Sequence, residues 1–167
     1  MAYVSPLADH LAPDSISRLE RAAQRRFEEA DILSSTRRHL AAIYLYGYVV
    51  EMCLTAAVFR NAGFPRHAPI DRDTRQRRMA QARQLGVMSS DAHPLSGWAR
   101  FLLWQRSARS VPKNAVLELL RSSVSKAEAA YRHWRPELRY KLADVTPEQV
   151  REVRQAAAWF LEHQNRL

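Results

Sequence analysis

The chain has 167 residues, 47% hydrophobic and 26% charged, enough for one ordinary globular domain with its own core. Its single cysteine, Cys53, excludes an internal disulfide and a cysteine-built zinc site, and its place in an apolar run marks a small buried hydrophobe. The net charge of +9, from 26 basic against 17 acidic residues, is almost all arginine, because only Lys113, Lys126 and Lys141 are lysines. Guanidinium forks suit phosphates and bases, so the charge points to nucleic acid or nucleotide, although solvated helix faces give the same balance.

Residues 1–13 read as an N-terminal extension without the charged start and apolar run of a signal peptide, and residues 14–167 as one domain. A first helix is expected from Asp14 or Ser15, with Ile16, Leu19, Ala23, Phe27, Ala30 and Leu33 on one face at steps of three and four. Ser34-Ser35-Thr36 offers a turn and an N-cap for the second helix. That helix, reaching about Ala62, is apolar nearly all round, so other helices must wrap it. From Ile43 to Phe59 its only charge is Glu51, and these 17 residues fall short of a membrane span of roughly 20, which predicts a soluble, cytoplasmic protein without membrane contact. Gly47 predicts the close approach of another helix, and Gly63-Phe64-Pro65 ends the segment.

A basic insert follows over 66–92, where Arg66, Arg72, Arg75, Arg77, Arg78 and Arg83 face only Asp71 and Asp73 up to Gln84. Asp73-Thr-Arg-Gln76 reads as the cap of a short helix stopped by Gly86, and Met88 to Ala92 as a loop. Pro94 opens a second short helix with Leu95, Trp98, Ala99, Leu102 and Leu103 inward, and Trp104 is expected partly exposed. After Val111-Pro112, a helix over 113–134 turns Leu117, Leu120, Val124, Ala127, Tyr131 and Trp134 inward. Past the linker from Pro136 to Val145, Thr146 caps the last helix, Pro147 takes its first position and Gln149 closes a capping box. Its buried stripe is Val150, Val153, Ala157, Phe160 and Leu161. No strand-like alternation or repeat occurs, so the fold class is an all-α bundle of four main helices, with one or two short helices between the second and third.

Three stretches resemble the HEPN-like family (higher eukaryotes and prokaryotes nucleotide-binding). Residues 42–56, with Gly47, Glu51 and Leu54 in register, are similar to its second helix. His93-Pro-Leu-Ser-Gly-Trp98 is similar to a His-x-Leu element before a short helix, and Trp134-Arg-Pro-Glu-Leu-Arg-Tyr140 to an Arg-Tyr segment before a capped final helix. The resemblance spans roughly residues 15–166 and implies an up-and-down four-helix bundle that often dimerises. Some members are metal-independent ribonucleases, some bind nucleotides, and others partner a nucleotidyltransferase.

In the ribonuclease branch a closely spaced Arg and His lie near the last helix. The Arg would stabilise charge on the phosphate and the His would move a proton. Only Arg60 and His67 match that spacing, with six residues between, and they fall at the end of the second helix, so they are weak catalytic candidates. Glu51 needs a partner, because an unpaired buried charge is very costly, and Arg139, Arg100 or Arg106 are the expected mates. A tie from Glu51 to Arg139 and Tyr140 would pin the linker onto the second helix, with the acid charged and a poor general base. Arg72, Arg75, Arg77 and Arg78 are the candidate binding residues. No convergent metal ligands, glycine-rich phosphate loop or nucleophile elbow appear, so neither metal nor cofactor is expected. The expected function is a non-catalytic, homodimeric binding module for nucleotide, RNA or a partner protein such as a nucleotidyltransferase. The alternative is a divergent ribonuclease using Arg60 and His67.

Overall fold

Each periodic segment of the sequence is helical in a computed structural model, which describes residues 14–90, 94–109, 113–140, 142 and 144–167. In order come α1 (Ile16–Ser35), α2 (His39–Asn61), α3 (Arg72–Gln84), α4 (Leu95–Arg109), α5 (Asn114–His133) and α6 (Pro147–His163), with a 3-10 turn at Pro136–Tyr140. Among the described residues there is no strand, only an isolated bridge between Asp14 and Ile70. The N-terminal extension, His93 with the end of the preceding loop, Val111-Pro112 and Lys141 lie outside the described residues.

Ser15 caps α1 by accepting from the Arg18 amide, and Ile16, Leu19, Ala23 and Ala30 are buried along the expected stripe. Glu20 is buried too, which the charge pattern did not foretell. The serines assigned to capping α2 instead finish α1. The Ser35 hydroxyl donates to the Ile32 carbonyl and the Thr36 hydroxyl to those of Ile32 and Leu33, so these groups close the end of α1. The chain then reverses through Arg37, at a φ of 61°, and α2 starts behind Arg38 with no side-chain cap.

α2 is the axis of the molecule, and α1, α4, α5 and α6 all pack against it. It is long and apolar enough to cross a membrane, but 78% of its most apolar stretch is buried by the other helices. Gly47 is where the closest approach occurs. A Cβ built there would lie 2.0 Å from Trp134 Cδ1, and the Trp134 indole Nε1 donates to the Tyr44 carbonyl at 3.0 Å. Any side chain at Gly47 would displace that ring.

The two helices of the insert are unlike each other. α3 buries only Ala82, and its cap is Asp71, not Asp73: the extended backbone of Asp71 lets its carboxylate accept from the Thr74 amide at 2.7 Å, while Asp73 is already in the first turn. α4 is a core helix rather than a short accessory, with Trp98, Phe101 and Leu102 wholly buried against its neighbours α2 and α5. The bundle is therefore five helices, with α3 lying outside it. Trp104 and Trp159 are partly exposed, whereas Trp98 and Trp134 are core. The capping box of α6 forms as expected, with Val150, Val153, Ala157 and Phe160 buried and Leu161 partly so.

Candidate functional site

Glu51 lies mid-way along α2 at 4% exposure, and its Oε1 accepts from Arg75 Nη2 at 2.7 Å. The expected tie was to Arg139 and Tyr140; the ion pair seen at this acid is to Arg75. Trp134, held against Gly47 and Tyr44, docks the following 3-10 turn one to two helical turns before Glu51, roughly 6–10 Å along the axis. Arg139 lies beside Tyr44 with its guanidinium 4.5 Å above the Tyr140 ring, and Tyr140 is 75% exposed. Arg100 pairs with Glu128 at 2.5 Å. The segment does pack on α2, but through Trp134 rather than through the acid.

Around the Glu51–Arg75 pair is a cleft of about 240 Å³ between α1, α2 and α3. Arg18, Leu19 and Ala22 line it from α1, Tyr48 and Met52 from α2, and Asp14 from the chain before α1. Burial raises the pKa of the Tyr48 phenol, so it stays neutral, and the Tyr44 hydroxyl lies 3.3 Å from its oxygen. Arg18 and Ala22 also line an adjoining concavity of about 300 Å³, with Arg21, Arg25 and Arg26. A third concavity, about 470 Å³, sits where Arg37, Arg38 and His39 meet Asp144. The arginines of α1 were not singled out in the sequence, yet Arg18, Arg21 and Arg25 follow one another at steps of three and four. That signal could have found them.

The weak catalytic candidates converge on α1 rather than on a cleft. Arg60 pairs with the buried Glu20 and donates from Nη1 to the Gln164 carbonyl at 2.5 Å. Arg66 reaches the same Glu20 at 2.7 Å, and His67 Nδ1 meets the Ser17 hydroxyl at 3.0 Å. Glu20 and Ser17 are one helical turn apart, so both candidates fasten the start of α1 to the end of α2. Cys53 lies under this cluster, and burial pushes its thiol up to about 12, which makes it inert at neutral pH.

The candidate binding arginines divide between two sides of α3. Arg75 and Arg78 turn inward, to Glu51 and to the Phe64 ring 5.7 Å away. Arg72 and Arg77 are exposed, Arg77 donating to the Thr74 hydroxyl at 3.1 Å. Among the described residues, no three His, Cys, Asp or Glu side chains are grouped as a metal would need. No family model, curated protein or solved structure matches the chain.

Proposed function

We propose that the protein is a non-catalytic RNA-binding module of the HEPN-like kind, cytoplasmic and homodimeric, that holds single-stranded RNA against the basic surface of α3. The observation that carries this reading is that α3 buries only Ala82 yet displays Arg72 and Arg77 to solvent, with Asp71 committed to capping. A helix that gives so little to the core, in a chain of net charge +9, is a surface built for an anionic partner. The homodimer rests on the family resemblance alone.

The ribonuclease alternative requires Arg60 and His67 to leave Glu20 and Ser17, and with them the anchoring of α1. A labelled RNA that is cut by the wild type and spared by His67→Ala would reverse the reading.

The test is fluorescence anisotropy with a labelled single strand between 50 and 200 mM salt. The logarithm of the affinity should fall linearly with the logarithm of salt, by about 0.7 for each phosphate neutralised. Reversing both exposed charges, Arg72→Glu with Arg77→Glu, should weaken binding at low salt by tenfold or more, on the order expected for two lost phosphate contacts. Unchanged binding by that variant would sink the proposal, and light scattering of the eluted protein decides the dimer.

A further inference from the structure

We propose that the exposed ring of Tyr140, on the 3-10 turn that follows α5, is a stacking platform for an unpaired nucleobase of the bound strand. This rests on the RNA-binding reading and adds to it a second contact and a reason to take single strands. A lone exposed tyrosine would need no explanation, but this one is presented on a fixed mount. Trp134 pins the start of the turn to α2, with its ring against Gly47 and its Nε1 donating to the Tyr44 carbonyl at 3.0 Å. The Leu138 amide then donates to the Arg135 carbonyl at 3.1 Å and closes the turn. Arg139 lies beside Tyr44 and holds its guanidinium 4.5 Å above the Tyr140 ring. One face of the phenol is thus backed by a cation, and at 75% exposure the other is open.

Geometry along α2 joins this ring to the basic surface of α3. Tyr44, Tyr48 and Glu51 follow one another at steps of four and three, so they share one face of the helix. Arg139 lies against the first of them and Arg75 of α3 pairs with the last, about 10 Å further along the axis. A strand held at α3 therefore has Tyr140 within reach of one of its next nucleotides. The ring suits any base, because every base has a flat π-face, and the guanidinium fixes the ring that receives it. A paired base keeps its faces within its own stack, so the platform takes single strands. The segment itself brings little net charge: Arg135, Arg139 and Lys141 stand in the sequence against Glu137 and Asp144. Arg135 is moreover engaged in closing α5, donating to the Tyr131 and Trp134 carbonyls. Stacking, not charge, is what this contact adds.

The test uses the full chain and two labelled single strands of equal length, one of mixed sequence and one abasic. The wild type is expected to prefer the strand with bases. Tyr140→Ala should lower the affinity for that strand about five- to hundredfold, the loss of one stacked base, and leave the abasic strand unaffected. Tyr140→Trp should keep the wild-type affinity for both, with circular dichroism checking that each variant folds. Because the ring is uncharged, the loss should be the same factor at 50 and at 200 mM salt, whereas the α3 arginines set the slope. Tyr140→Ala that binds the mixed strand as tightly as the wild type, or that loses the abasic strand equally, overturns the platform and leaves the α3 reading intact. Wild type that binds neither strand overturns both readings. Leu142, fully exposed beside the ring, makes a lipid surface the competing partner. Sedimentation on phosphatidylserine vesicles that Tyr140→Ala abolishes, with RNA binding unchanged, would assign the ring to lipid and overturn the platform.

Discussion

Gly47 is the residue on which the packing of α2 turns. The close approach it permits was legible, because a glycine inside an otherwise regular apolar helix has no other local use. Its occupant was legible only in part: Trp134 sits on an apolar stripe, but nothing in the sequence says that the stripe ends over Gly47. Gly47→Ala would force a methyl to within 2.0 Å of the buried indole. The expected cost is about 1–3 kcal/mol by overpacking, read as a fall in denaturation midpoint with the slope unchanged. Trp134→Leu in the same chain should recover part of that loss, and two strictly additive losses would mean that the ring and the glycine are not coupled. Glu51 shows the opposite limit. That it needs a cation follows from burial alone, but which of 26 basic residues reaches it depends on where α3 docks, and no periodicity encodes that.

Among the elements, the amphipathic helices were readable because their buried stripes repeat at helical spacing, and α6 because its cap is a complete box. α4 was underestimated because, with glycine and tryptophan buried on one side and leucine and tryptophan partly covered on another, its pattern is too broad for a simple stripe. The start of α2 was missed because Ser35 and Thr36 bond backward as readily as forward. α3 is the element with least holding it. Ala82 is its only buried residue, and the Arg75–Glu51 pair is its main polar attachment to α2. A hydrogen bond to a charged group contributes roughly 1.5–3 kcal/mol, so Glu51→Gln should speed amide exchange across 75–84 by about tenfold or more. Amides in the middle of α2 should stay protected. Uniform loss of protection along both helices would instead mean that the pair supports the core, not the attachment of α3.

For the whole molecule, the joint between α1, α2 and α6 makes one contribution to the response to pH. The Arg154 fork holds Asp31 with bonds of 2.8 and 3.0 Å, the Tyr46 hydroxyl donates to the same carboxylate, and the Arg154 guanidinium lies 5.3 Å over the Phe27 ring. Arg154 first, and Tyr46 after it, hold the Asp31 carboxyl below its usual 3.8. Its contribution is therefore complete above about pH 4 and disappears as the pH falls through the lowered value. The Tyr46 hydroxyl is raised above its usual 10.0, chiefly by burial, so its share persists through neutral pH and is lost only in strong alkali. Urea titrations from pH 6 down to pH 2 should show an acid loss of stability that is smaller in Asp31→Asn, and equal losses in the two proteins would exclude the joint as its source. A second consequence belongs to biosynthesis. α1 and α2 are an antiparallel hairpin clasped at its open end, where Ile70 donates its amide to the Asp14 carbonyl at 2.7 Å and Ser17 its amide to that of Arg66 at 3.1 Å. Everything in that clasp comes from one early stretch of chain, so the hairpin can close while the ribosome is still adding the rest. Until α4 and α6 arrive, however, the flank of α2 that they cover is bare and adhesive. Exposure of that flank ends only when the 17 residues of α6 have left the exit tunnel.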